Sequence, residues 1–331
     1  MTTTTASAIP TADIRPTLDL RGTWTALITP FRDGRVDEPA LRALVDLQIA
    51  GGVRGLVACG STGETPTLTP DEYELVIRAV VDQAAGRVPV MVGTGSNDTT
   101  TVIAHNRVAA EVGADAVLVV MPYYNRPTQE GMVQHIRAIA EQTPLPIVLY
   151  NVPGRTGSDI LPETVARLAA IENVIGIKEA SGDVDRASEI VRLTPASFAV
   201  LSGDDSLTLP IMSVGGQGVI SVVSNIVPEA MSRLTAAALA GDFTLARTIH
   251  HELLDLCRAM FVETNPVPVK AAAELLGIAT SDVRLPLVPL AAASRMRVFE
   301  SLLACRYTGG RIFHGEESAH MRAVIRGEVA A

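Results

Sequence analysis

The chain has 331 residues, 47% of them hydrophobic and only 4% aromatic, with a formal net charge of −9. An acidic balance with no stripe of Lys and Arg excludes a nucleic-acid binder, because phosphate contacts need clustered cations. The apolar content suffices for a large core of small aliphatics, no apolar run is long enough to span a bilayer, and Cys59, Cys257 and Cys305 are too widely spaced for a disulfide or metal framework, which points to a reducing, cytoplasmic setting.

The first residues, MTTTTASAIPTADIRPTLDL, are Thr-rich and lack an apolar signal-peptide core, so 1–21 reads as a flexible leader. Short apolar, β-branched runs then alternate with amphipathic stretches. The expected strands are 23–30, 55–62, 88–95, 116–122, 146–153, 174–181, 198–205 and 218–225. Most are continuous apolar runs, as parallel strands buried on both faces require. Helical patterns fill the gaps at 38–52, 69–86, 97–114 and 128–143. Thr69 reads as an N-cap, followed by Pro70 in the first turn and then acids. Eight strand–helix beats predict an α/β fold, a (β/α)8 TIM barrel over 22–227. An open doubly wound sheet is the rival, but no G-x-G-x-x-G follows the first strand, and GTGSND (93–98) reads as a plain turn. Helical segments at 228–262, 266–277 and 289–306 predict a C-terminal helical region over 228–307, with 261–270 as an ordered bend. The residues 308–331 form a polar tail with one short helix expected from Glu316. Its His314 and His320 read as surface residues.

One residue stands out against this pattern. Lys178 lies in the apolar run VIGIKEAS (174–181), where alternation places Gly176, Lys178 and Ala180 on one face and Ile175 and Ile177 on the other. Small neighbours leave space around its amine. At an ordinary pKa of about 10.4, roughly one lysine in a thousand is neutral at pH 7, and burial favours the neutral form. A neutral amine attacks ketones to form Schiff bases. The plainer reading is a lysine that reaches solvent or pairs with an acid.

In a (β/α)8 barrel the active site lies at the C-terminal strand ends. Those ends carry Ser61, Thr62 and Glu64, then Tyr123, Tyr124 and Asn125, then Tyr150, Asn151 and Arg155, then Lys178 and Glu179, and last Ser202, Asp204 and Asp205. No histidine is among them, which disfavours a histidine base. Asp204 and Asp205 have no companions for a metal and read as an N-cap for the next helix. Tyr150 is either a core residue bonded to backbone or an acid/base beside an imine. The GSTGE turn (60–64) could hold a carboxylate on its backbone N–H groups.

The motifs GSTGE (60–64), MPYYNRP (121–127), YNVPGRTG (150–157), GIKEASGD (176–183), LSGDD (201–205), GVISV (218–222) and NPVPVK (265–270) occur in this order. Over roughly 22–306 the chain resembles the dihydrodipicolinate synthase family of pyruvate-dependent class I aldolases. The resemblance implies a lyase of the lysine and diaminopimelate pathway that condenses pyruvate with L-aspartate 4-semialdehyde. It implies a Schiff base on Lys178 with no metal or separate cofactor, and Tyr150 as proton donor and acceptor at the imine. Ser61 and Tyr124 would complete a hydroxyl relay, the tyrosine reaching in from a neighbouring subunit of a homotetramer. Thr62 would bind the pyruvate carboxylate and Arg155 that of the second substrate, while Gly203 and Ile220 line the pocket.

Two positions depart from the family pattern. Residue 61 is Ser where the synthases usually carry Thr, which keeps the hydroxyl but loses the methyl that fixes its rotamer. This Ser-Thr pair also resembles neuraminate lyases, so a sugar-acid aldolase is an alternative reading, though those lyases lack the Arg155-Thr-Gly pattern. Lysine-inhibited relatives use residues matching Asn97 and Tyr123, a carboxylate at the position of Thr101, and polar or aromatic groups matching Pro70 and Tyr73. Thr101 cannot pair with an ammonium, so weak or absent inhibition by L-lysine is expected. A non-catalytic barrel is the third reading, opposed by competent residues at every chemical position.

Overall fold

Eight short parallel strands close into a barrel in the computed structural model, which describes residues 18–308. They are β1 (Gly22–Ala26), β2 (Gly55–Ala58), β3 (Val90–Gly93), β4 (Ala116–Val120), β5 (Ile147–Asn151), β6 (Val174–Glu179), β7 (Ala199–Ser202) and β8 (Gly218–Ser221). Each pairs with the next, and β8 closes on β1 through Trp24 opposite Ile220. The expected (β/α)8 barrel is the fold observed.

The two-residue period of a strand divides the core in two. Along β5, Ile147 and Leu149 join the outer cluster beneath the helices, while Val148 and Tyr150 join the inner one. Both faces are therefore apolar, which is why these strands read as unbroken hydrophobic runs. The expected alternation in β6 needs one correction. Pairing slips by a residue at Ile147/Val148 opposite Val174 and Gly176, and Ile175 packs against the inner cluster instead of sharing the outer side with Ile177. From Gly176 onward the register is regular.

The helices are α1 (Glu38–Ala50), α2 (Pro70–Ala84), α3 (Thr99–Glu111), α4 (Gln129–Ala140), α5 (Pro153–Thr156), α6 (Pro162–Leu168), α7 (Val184–Leu193), α8 (Thr208–Ser213), α9 (Pro228–Leu239), α10 (Phe243–Ala259), α11 (Val267–Leu275) and α12 (Ala292–Ala304). Thr69 caps α2 as expected, and Glu72 completes a reciprocal capping box. The span expected as helical over 228–262 is two helices. Gly241 turns the chain at a φ of 79°, and the Asp242 side chain then caps α10 by accepting the Leu245 N–H. The expected bend at 261–270 is shorter, because 267–270 already belong to α11. Among the described residues no helix is long and apolar enough to cross a membrane. Residues 1–17 of the expected leader and 309–331 of the tail, with His314, His320 and the helix expected from Glu316, lie outside the described residues.

At the end of the expected leader, Leu18 and Leu20 pack against the inner cluster of the barrel. Leu20 is buried in the inner cluster and accepts the indole N–H of Trp24 at 3.0 Å. Trp24 is fully buried and fills the floor, and a Cβ on Gly55 would lie 2.4 Å from its ring. A Gly55→Ala substitution should destabilise the protein by about 1–3 kcal/mol, because the pinned indole cannot withdraw. Urea unfolding checks this, and an unchanged or raised midpoint would contradict the packing described.

Candidate active site

The register between β5 and β6 builds the centre of the site. Tyr150 lies opposite Lys178 and Asn151 opposite Glu179. Residues opposite one another in paired strands share a face, so Tyr150 and Lys178 both enter the barrel while Asn151 and Glu179 both leave it. Inside, the Lys178 Nζ stands 4.4 Å from the centroid of the Tyr150 ring. Outside, the Asn151 amide donates to the Glu179 carboxylate at 3.1 Å, and the Ser181 N–H donates to the same carboxylate at 2.7 Å. Burial still pushes the Glu179 carboxyl above its ordinary range, against those hydrogen bonds.

Lys178 is 5% exposed and forms no ion pair among the described residues, so it neither reaches solvent nor sits against a paired acid. Burial raises the Asp204 carboxyl, and the charge of Lys178 draws it back down. Gly203 makes room for the amine. Its N–H donates to the Glu179 carbonyl at 2.7 Å, and a Cβ there would lie 2.5 Å from Ala180 Cβ and 3.1 Å from Lys178 Cε. Ile220 is fully buried in the same inner cluster as Tyr150. The Tyr150 hydroxyl makes no hydrogen bond to protein among the described residues, so the reading of a core tyrosine bonded to backbone does not describe it.

The cap expected from Asp204 and Asp205 is not made through either side chain. Asp205 is buried and its Oδ2 accepts the N–H groups of Val222 at 3.0 Å and Val223 at 2.9 Å. Those amides leave the end of β8 without another acceptor, and a buried carboxylate satisfies both. The second aspartate thus joins two strand ends.

Above this centre is a cavity of about 450 Å³, lined by Ser61, Tyr123, Tyr150, Arg155, Asn265 and Leu287 among others. Ser61 and Thr62 occupy a short 3₁₀ turn after β2, with Thr62 buried. Asn265, at the expected bend and without a strand-end position to mark it, donates its side-chain amide to Thr62 Oγ1 at 3.0 Å. The Asn265 backbone carbonyl accepts from the Arg155 guanidinium at 2.9 Å. Arg155 has no carboxylate partner among the described residues and remains open to solvent on α5.

Tyr124 does not join Ser61 and Tyr150 within this chain. It is 88% exposed, at a backbone φ of 70° that is costly outside glycine. The loop around it is held by Asn125 donating to the Asn97 carbonyl at 2.8 Å and Arg126 to the Gly157 carbonyl at 2.9 Å. No hydrogen bond links the hydroxyls of Ser61, Tyr124 and Tyr150 among the described residues.

Known proteins supply the comparison. Residues 19–304 match the model of the dihydrodipicolinate synthetase family. The 4-hydroxy-tetrahydrodipicolinate synthase of Thermomicrobium roseum is 56% identical over 289 residues, 87% of this chain and 96% of that protein. The solved dihydrodipicolinate synthase of Thermotoga maritima superposes with a TM-score of 0.86 at 45% identity, covering 87% of this chain and 99% of that one. The chloride-inhibited enzyme of Acinetobacter baumannii, solved with pyruvate, gives a TM-score of 0.85 at 43% identity, covering 87% of this chain and 99% of that one. A lysine facing a tyrosine inside an eight-stranded barrel, in a chain so closely matched, places this protein in the dihydrodipicolinate synthetase family.

Proposed function

We propose that this protein condenses pyruvate with L-aspartate 4-semialdehyde to give 4-hydroxy-tetrahydrodipicolinate, as a lyase serving lysine and diaminopimelate synthesis. The observation that carries the reading is the Lys178 amine, buried without a paired acid and facing Tyr150, whose side chain helps line the cavity. The names of the relatives support the same activity.

In this reading the Lys178 amine adds to the pyruvate ketone, and loss of water gives the imine. The imine draws electrons from the methyl carbon, so a methyl proton leaves and an enamine forms. The enamine carbon attacks the aldehyde, making the carbon–carbon bond, and the aldehyde oxygen takes up a proton to become the hydroxyl. The amine of the second substrate then displaces Lys178 at the imine carbon, closing the ring and freeing the lysine. Tyr150 handles protons beside the imine, because its hydroxyl has no other engagement among the described residues. Ser61 and Tyr124 extend the relay. Hydroxyls move protons without placing a resident charge against the lysine.

Thr62 and its turn hold the pyruvate carboxylate, and Arg155 offers its planar fork to that of the semialdehyde. The electron sink is the imine itself, so the reaction asks for no separate cofactor or metal. Tyr124 acts in trans in this reading, supported by its exposure on a firmly held loop, and the working unit is at least a dimer within a homotetramer. A cytoplasmic site fits three buried, unpaired cysteines.

The positions that match the effector site of lysine-inhibited relatives are poorly suited to it here. The Thr101 N–H and hydroxyl both donate to Asp98 Oδ2, at 2.8 and 2.7 Å, so that residue serves the cap of α3. The Tyr73 hydroxyl is spent on the Gly93 carbonyl at 3.1 Å, and its ring stacks on His105 with centroids 5.0 Å apart.

Two outcomes follow. Coupled to a dihydrodipicolinate reductase, turnover should require both pyruvate and the semialdehyde. Arg155→Ala should then weaken the semialdehyde roughly ten- to a hundredfold, the effect of losing a charged hydrogen bond of about 1.5–3 kcal/mol, while pyruvate still forms its imine. Unchanged kinetics in that variant would remove Arg155 from the site. In the same assay, sub-millimolar L-lysine should leave more than half the activity. Half-inhibition in that range would show that the effector site works without a carboxylate at position 101.

A further inference from the structure

A second buried lysine lies beyond the barrel. Lys270 of α11 and Glu64 of the GSTGE turn form an ion pair whose side chains are 0% and 1% exposed. Lys270 also donates to the Asp282 carbonyl at 2.7 Å and stands 4.1 Å from the Phe31 ring centroid. The other carboxylate oxygen of Glu64 accepts the Arg284 N–H at 3.1 Å. The Arg284 side chain bonds the Thr67 carbonyl at 2.9 Å, the Gly34 carbonyl at 2.7 Å and both oxygens of Glu72 at 2.7 and 2.6 Å. Its guanidinium lies 4.2 Å from the same Phe31 ring. Both oxygens of Glu64 are thereby committed to the C-terminal region.

The location of this pair is informative. Glu64 ends the turn that carries Ser61 and Thr62, and holds a left-handed backbone (φ 53°, ψ 34°) that costs a non-glycine residue free energy unless its surroundings impose it. Its carbonyl is held by the N–H and hydroxyl of Thr67, each at 3.0 Å. Five residues before Lys270, Asn265 grips Thr62 from one side and Arg155 from the other. Downstream of Arg284, Pro286 and Leu287 form part of the cavity wall. Removing two charges from water usually costs more than their attraction returns, so a buried pair is weak evidence for a role in stability. Here it sits where a displacement of the turn would move a substrate contact.

We propose that Glu64 and Lys270 are a positioning pair for the pyruvate carboxylate site, locking the Ser61–Thr62 turn against the C-terminal region. Glu64 lines the cavity, but its two carboxylate oxygens are committed to Lys270 and to the Arg284 N–H, so the pair acts through the turn. This inference rests on the reading of the turn as the pyruvate carboxylate site.

The test uses the full chain in two variants. Glu64→Gln/Lys270→Met removes both charges at similar volume and leaves none unpaired. Glu64→Asp keeps the charge but shortens the reach. Borohydride trapping over a pyruvate series gives half-saturation for pyruvate, the coupled assay gives it for the semialdehyde, and circular dichroism reports folding. A folded variant should need roughly ten- to a hundredfold more pyruvate, the cost of a small misplacement, while half-saturation by the semialdehyde moves less than about twofold. Unchanged pyruvate saturation in a folded variant, or an equal rise for both substrates, would overturn the inference. Loss of folding in both variants would make the pair a stability element and overturn it too. A wild type that traps no pyruvate would instead defeat the reading of the site on which this one rests.

Discussion

The site depends on one strand register. Pairing Tyr150 with Lys178 places an amine and a phenol side by side inside the barrel and, by the same alternation, joins Asn151 to Glu179 outside it. Sliding β6 by one residue would send Lys178 into the helical shell and Glu179 into the cavity. The strand does slip once, at Ile175, but below the site, and the pairing is regular again from Gly176. Bonds on the outer face, from Ser181 and Asn151 to Glu179, thus help fix what the inner face presents.

The two buried lysines show how surroundings divide roles within one residue type. Lys270 is surrounded by acceptors: a carboxylate, a backbone carbonyl and an aromatic face. Burial pulls its pKa down, and Glu64 pulls the other way. Its amine is fully occupied and suits holding. Lys178 has a tyrosine ring and a glycine beside it, with no paired carboxylate among the described residues. Its amine is left for a reactant. The barrel supplies the reacting pole, while the region after β8 supplies Asn265 and the wall around Leu287 from its loops and Lys270 from α11.

Much of this was legible in the chain. Strands buried on both faces write themselves as apolar runs, and a lysine inside such a run is conspicuous because its cost must have a reason. Arg155 was legible as a strand-end cation, its expected partner only through the resemblance, and Gly203 only through the resemblance, since a strand-end glycine is not rare. The Glu64–Lys270 pair was missed because its members stand 206 residues apart. Its signal was nevertheless the one that exposed Lys178: a single lysine in an apolar stretch, here NPVPVKAAA. The cap expected from Asp204 and Asp205 failed for another reason. A local rule placed the carboxylate on its own helix, while two amides on the neighbouring strand end had greater need of it. The break at Gly241 inside the expected helix 228–262 was visible as Ala-Gly-Asp, a stop followed by a cap.

The central claim is that Lys178 carries the pyruvate carbon. The direct measurement is to reduce the protein with borohydride in the presence of pyruvate, digest it, and locate the added mass by peptide sequencing. The account predicts a single adduct on the peptide containing Lys178, absent from a folded Lys178→Ala variant. An adduct on Lys270 or elsewhere, or none on a protein that turns over both substrates, would contradict it.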